Sequence, residues 1–227
     1  AAAIASLPLQ TPSRLRRLLA TQSPSAIWCA ITNGGRPIPG IDDALWRSWE
    51  SSQLFDVEKI ADECDRMGVC VLSRNDEHYP VALLADPQAP AVLFVRGDVT
   101  AFRRRRVGIV GTRTATQRGR FVARQLGHDL AAAGVSVVSG LARGIDVQSH
   151  IGALSQSPVV PPIAVVASGV HHVYPPEHAE IWERIAQDGV LLSEVPPLTA
   201  PETHRFPLRN RILAALSEVL VVVESHA

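Results

Sequence analysis

The sequence predicts an α/β protein: an extended Rossmann-like parallel sheet with helices on both faces, preceded by a small all-α N-terminal domain. Three observations lead there. After Gly68, strand-like and helix-like segments alternate, and strands separated by helices imply right-handed crossovers and a helix-covered parallel sheet. The strand segments are continuous β-branched runs, the pattern of strands buried on both faces. Before Gly68 the apolar spacing is helical throughout. The division falls at residues 1–68 and 69–227.

In chain order, TPSRLRRLLA places Thr11 at an N-cap, Pro12 at the first helical position, and Leu15, Leu18 and Leu19 on one face. SPSAIWCAI repeats the device with Ser23 and Pro24. GGRPIPG is a loop, and IDDALWRSWE and DVEKIADECDRMG are further helices, the latter capped by Asp56 and stopped by Gly68. VCVLS is a short strand, and YPVALLADPQAPAVLFVRG holds a helical turn, a proline-marked loop and a strand. The predicted core strands are 107–110, 135–139, 163–167, 190–193 and 219–223. The helices between them are 117–133, 146–154, 177–187 and 208–216.

Composition limits the function classes. The 227 residues have ordinary globular hydrophobicity and a formal net charge of +0, which excludes a disordered chain. No apolar run reaches the ~18 residues of a membrane span, and the apolar opening lacks the basic flank of a signal peptide. Cys29, Cys64 and Cys70 are too scattered for a disulfide framework or zinc pair, which points to a reducing cytoplasm. Neutrality hides a segregated charge: from Arg103 to Arg124 there are eight arginines and no acid. The run Arg103–Arg106 reads either as part of a basic face or as a solvated loop before a strand.

The candidate site follows from the strand exits, because ligands of open parallel sheets bind beyond the carboxyl ends of the strands. The exits carry Gly111, Thr112 and Arg113; Ser139, Gly140, Arg143 and Gly144; Ser168 and Gly169; and Ser193 and Glu194. Glycines admit a ligand close to the backbone, helix starts offer N–H groups to an anion, and arginine adds a bidentate fork. Recurrence along one edge reads as a phosphate-binding rim for single-stranded nucleic acid. The G-x-G-x-x-G fingerprint and the Walker loop are both absent, so no cofactor is expected. A second dense segment, RFPLRNRILAALS, sets Phe206 and Asn210 among Arg205, Arg209 and Arg211. There Phe206 is read either as a base-stacking residue or as core. HHVYPPEH offers no standard metal-ligand spacing. Asp146 reads as a base or, more simply, as a helix cap. No nucleophile has a base at a matching spacing, so no catalytic residue is expected.

The segments YPVALLADPQAPAVLFVRGD, VGIVGTRTATQRGRFVARQLGHDLAAAGVSVVSGLARGIDVQSHIGAL, SGVHHVYPPEH, LLSEVPP and FPLRNRILAALSEVLVVVE together resemble the DNA-processing protein A (Smf) family. The resemblance implies a non-catalytic single-stranded DNA-binding protein that protects incoming strands in natural transformation and helps load the RecA recombinase. It implies DNA contacts at Gly111, Thr112 and Arg113, along Ser139 through Asp146, and from Phe206 to Arg211, with Arg209 and Arg211 on phosphates. The family often opens with a P-G-I-G-P hairpin where this chain has LPLQTPS, so the N-terminal helices are expected to be structural or partner-binding. The family also continues beyond VVVESHA with segments that contribute to a homodimer, so this chain is expected to be truncated after the core. The competing reading is a nucleoside-monophosphate phosphoribohydrolase of the lysine-decarboxylase-like type; its P-G-G-x-G-T-x-x-E loop is missing, and Glu194 and Glu224 are the only acids near suitable strand ends. A third is a protein-interaction scaffold with solvated arginines.

Overall fold

The computed structural model describes residues 1–39, 41–52 and 57–225. Five short helices come first: α1 (Ala2–Ala5), α2 (Pro12–Thr21), α3 (Pro24–Thr32), α4 (Asp43–Glu50) and α5 (Val57–Arg66). The N-caps expected at Thr11 and Ser23 are formed; the cap expected at Asp146 is not, because its helix is preceded by Gly144 and starts without a side-chain cap bond. Thr11 Oγ1 accepts from Arg14 N and Ser23 Oγ from Ala26 N, each at 3.2 Å, and the prolines that follow occupy positions needing no intrahelical donor. Asp42 caps α4 through Leu45 N at 2.8 Å. The cap expected at Asp56 lies outside the described residues.

The remainder runs β1 (Val69–Ser73), α6 (Val81–Leu84), β2 (Val92–Gly97), β3 (Arg106–Val110), α7 (Gln117–Ala132), β4 (Ser136–Ser139), α8 (Ile145–Ala153), β5 (Ile163–Val165), α9 (Ala179–Asp188), β6 (Val190–Ser193), α10 (Arg205–Leu216) and β7 (Val219–Val222). The strand order is β1-β2-β6-β5-β4-β3-β7. From β6 to β7 every pairing is parallel, as expected. The sheet is nevertheless mixed, because β1–β2 and β2–β6 pair antiparallel. The link from β1 to β2 holds only the one-turn α6, too short to cover a sheet face as a crossover helix.

Side-chain alternation along the buried strands feeds two cores. Ile163, Val165, Val190 and Leu192 point toward Ile212, Leu213 and Leu216 of α10. Ala164, Val166 and Leu191 point the other way, into a cluster that also holds Leu18, Ile27 and Trp49 of the N-terminal helices and Trp182 of α9. The helical segment and one sheet face thus share one continuous apolar cluster. On the same side, α7 and α8 cover β3 and β4 through Ala123, Ala131, Ile145 and Ala153. The expectation that every core strand is buried on both faces fails at β7, where Val219, Leu220 and Val222 are exposed. This strand is an edge, and no described element lies beyond it. The helix expected from residue 208 begins at Arg205, so Pro207 sits inside its first turn, where its missing N–H has no intrahelical partner to lose.

Candidate nucleic-acid interface

The exits of β3, β4, β5 and β6 lie side by side, as the parallel register requires. The groups they carry divide into a surface layer and a supporting layer beneath it.

The surface layer centres on Phe206, at the first turn of α10. Its ring is half-buried, with the Arg113 guanidinium 4.9 Å above it and the Tyr174 ring 5.6 Å away at a 58° tilt. Phe206 is therefore a rim residue rather than core. Arg113, Arg143, Tyr174 and Asn210 are exposed around it, and a small hollow bounded by Arg113, Gly140, Arg143, Ser168, Tyr174 and Phe206 opens between them. Tyr174, within HHVYPPEH, is a site residue with no sequence signal of its own beside the histidines. Those histidines are held apart: His171 Nε2 lies 2.8 Å from Met67 O and His178 Nδ1 2.9 Å from Leu141 O. Among the described residues no cluster could hold a metal ion. Arg143 is ion-paired with Glu177 on the rim, and that hydrogen bond holds the Glu177 carboxyl below the ordinary range.

The supporting layer corrects several expectations. Arg209 is only 5% exposed. Its guanidinium donates to the carbonyls of Gly140 and Val165, and its Nε to Asn210 Oδ1 at 3.1 Å. It lies under the rim, turned away from any phosphate on the surface. The sequence did carry the signal: Arg209, Ile212, Leu213 and Leu216 fall at i, i+3, i+4 and i+7, one inward face of α10. Arg211 is likewise engaged, with Glu194 and with Gln88 O. The serines at the strand exits have internal partners as well, as most buried hydroxyls do. Ser139 Oγ donates to Ile109 O at 2.6 Å, Ser168 Oγ to His172 O at 2.7 Å, and Ser193 Oγ to Ser168 O at 2.8 Å. They tie strand exits together.

The rim glycines are also packed from within. A Cβ on Gly140 would stand 2.1 Å from Arg209 Nη1. Gly144 has φ 78° and would meet Thr112 O at 2.2 Å. Gly111 and Gly169 are similarly enclosed, by Ile145 and Glu224 and by Pro196 and Pro197. Their small size admits protein atoms, where the sequence suggested a ligand. Leu141 is held at φ 55° between them, a left-handed backbone that costs of order 1–3 kcal/mol and persists only under firm packing.

Asp146 supplies the counter-charge. It is 5% exposed, and burial pushes its pKa up to about 6 against the opposing pull of Arg209, the N–H groups of Ala142 and Gly140, and Arg113. Four residues on, His150 is fully buried, and burial holds its pKa down to about 3. The anion site expected at the start of α7 is filled by the chain itself. Thr116 N donates to Glu224 Oε1 at 3.1 Å and Thr116 Oγ1 to Oε2 at 2.9 Å, while Thr112 N donates to Glu224 O at 2.8 Å. A carboxylate suits a helix N-terminus for the same electrostatic reason as a phosphate. The crevice between β3 and β7, where the strand order reverses and dinucleotides bind in such sheets, is thereby closed. With Glu194 on Arg211 and Glu224 on Thr116, neither acid of the phosphoribohydrolase reading faces the hollow as an unengaged base. The Arg103–Arg106 alternative also resolves: this run lies at the opposite end of β3 from the rim, with Arg105 paired to Glu218 and Arg106 bound to Leu216 O.

The family model for the DNA recombination-mediator protein A matches residues 70–227. The chain belongs to the DNA recombination-mediator protein A family. It is 39% identical over 158 residues to the DNA processing protein DprA of Bacillus subtilis (strain 168), covering 69% of this chain and 52% of that protein. The solved structure of DNA processing protein A from Streptococcus pneumoniae is similar over 97% of this chain and 74% of that one, with a TM-score of 0.77 at 25% identity. A second, described as showing the single-stranded DNA binding mode of DNA processing protein A from Helicobacter pylori, covers 69% of each chain with a TM-score of 0.62 at 28% identity. The chain spans about half the length of the curated relatives it matches. Among the described residues, no helix of this family member is long and apolar enough to cross a membrane.

Proposed function

We propose that the chain captures single-stranded DNA non-specifically along the rim, without catalysing a reaction. The observation that carries this is the Arg113–Phe206–Tyr174 group: a half-buried ring under a guanidinium, at the exits of parallel strands, in a family with a DNA-processing role. A partly exposed aromatic ring stacks any base, and the cations beside it attract the backbone without reading sequence. Arg113 and Arg143 are the phosphate partners. Gly111, Thr112, Ser139, Gly140, Gly144, Ser168, Gly169, Arg209 and Arg211 shape the surface from below, and Asn210 joins it at the edge. In the cell the reading is protection of incoming single strands in natural transformation, delivery to RecA, a homodimer in the longer protein and a cytoplasmic location. Residues 1–68 form a helical module and 69–227 the DNA-binding domain.

The test is fluorescence anisotropy with one oligonucleotide offered single-stranded and as a duplex at two salt concentrations. The proposal expects preference for the single strand and a steep loss of affinity with salt, about −0.7 in log–log slope per phosphate contact. Equal duplex binding, or binding indifferent to salt, contradicts it and favours the protein-interaction scaffold.

A further inference from the structure

Between the N-terminal helices and the exits of β5 and β6 lies a cavity of about 480 Å³, within the roughly 300–1,000 Å³ range of small-molecule sites. Leu9 and Leu15 form its wall on the helical side and Leu208 on α10, while Glu194 and Ser193 bring polar groups from the strand ends. The cavity adjoins the hollow beside Arg113, since both are bounded by Val166 and Ala167. The first turn of α10 stands between them: Phe206 lines the hollow, and Arg205 and Leu208 line the cavity.

Its chemistry selects a ligand. The Ser193 hydroxyl is already donated to Ser168 O, so the strand end presents acceptors. Glu194 holds Arg211 through Oε2, and a carboxylate has about four lone-pair positions, which leaves capacity for further N–H donors. Arg205 and Arg209 on the α10 side are committed, to Glu202 and Ala200 O and to Gly140 O and Val165 O respectively. A phosphate would therefore face the carboxylates of Glu194 and Glu202, with both lining arginines already bonded and His204 beside Glu202. A flat ring with an N–H on its edge can lay its faces against the leucines and its donor against Glu194, and every nucleobase is such a group.

We infer that this cavity receives one nucleobase of a bound single strand, the neighbour of the base stacked on Phe206, while the intervening phosphate stays outside near Arg113. The inference rests on the single-strand reading above and adds to it: the N-terminal helices supply one wall of the DNA site. Each step of the strand then has its own receptor, a ring platform on one side of α10 and an open pocket on the other.

The experiment uses the shortest oligothymidylate that saturates the chain, so that the strand cannot slide, with a single abasic residue placed at each position in turn. Two adjacent abasic positions are expected to weaken binding, each by roughly 5- to 100-fold, the range for losing one stacked base. Phe206→Ala should abolish the sensitivity at one of them. Leu208→Trp, which fills the cavity from a partly exposed position, should lower the affinity of the intact strand to that of the strand abasic at the other. Leu208→Ala leaves the cavity open and should retain that second sensitivity, which separates filling from misfolding. A single sensitive position, governed by Phe206, or identical behaviour of Leu208→Trp and Leu208→Ala, overturns the pocket while leaving the rim intact. No retention of the intact strand by the unaltered chain overturns both.

Discussion

Arg113 and Arg209 approach the same loop from opposite sides. Arg113 stands outside it, exposed, its guanidinium over the Phe206 ring. Arg209 lies inside it, beneath Gly140, its charge opposed by buried Asp146 and its N–H groups spent on two backbone carbonyls. The same residue type in the same family segments thus serves two ends. Outside, a cation in water keeps its capacity for a ligand and adds little to stability. Inside, it fixes the path of a strained, glycine-rich loop and has no capacity left over. A rim for a flexible polymer needs both, because a stacking platform on a mobile loop would pay the ordering entropy again at each binding event.

This contrast is broken most severely by removing the inner cation. Arg209→Met leaves the carbonyls of Gly140 and Val165 without their donor, and each buried polar group left unsatisfied costs about 1–3 kcal/mol. For the two carbonyls together, thermal unfolding should therefore shift down by roughly 4–24 °C for a chain of this size. An unchanged melting temperature with lost DNA binding would instead make Arg209 a direct DNA ligand. Phe206→Ala tests the outer layer: affinity for single strands should drop by about 1–3 kcal/mol, seen by anisotropy, with a much smaller change in melting temperature.

The contrast also has a pH signature. His150 is neutral when folded down to about pH 3 and protonated when unfolded below about 6.5. Its contribution therefore lowers stability as pH falls through that window, by about 1.4 kcal/mol per unit. Asp146 does the reverse. With its folded pKa raised to about 6, it holds a proton that the unfolded carboxyl has lost above about 3.9, so its contribution declines as pH rises from about 4 to 6. The two slopes oppose each other there. Asp146→Asn should expose the His150 slope, and denaturant unfolding at pH 4.5 and 5.5 should show a steeper acid-side loss than the parent chain. Equal slopes would place the Asp146 titration elsewhere. The smallest effect is at the rim: Glu177→Gln releases Arg143 from its exposed ion pair, and single-strand affinity at low salt should rise by a few fold at most. A decrease would mean that Glu177 positions Arg143 for the strand.

The fold was legible where the physics is local. β-branched runs marked the buried strands, and Thr11 and Ser23 marked helix starts that the structure forms. The antiparallel β1 and β2 were not legible as such, because strand direction is set by the connection and the partner, and neither is written in the strand. The segments that build the site were legible too, but the allocation of their groups was not. A glycine that admits a ligand and one that admits Arg209 have the same letter. Likewise a helix N-terminus takes Glu224 as readily as a phosphate, and that acid lies over a hundred residues away in sequence. Arg209 could have been assigned inward from its spacing with Ile212, Leu213 and Leu216, had helical phase been weighed above residue type.

The most direct measurement is the salt dependence of single-strand binding by Arg113→Ala and Arg209→Lys beside the unaltered chain. If Arg113 meets the backbone and Arg209 only supports the loop, Arg113→Ala flattens the log–log slope by about 0.7, one phosphate contact. Arg209→Lys, which keeps the inner charge, leaves the slope as it was. A slope unmoved by Arg113→Ala but flattened by Arg209→Lys would contradict the division between outer and inner arginine.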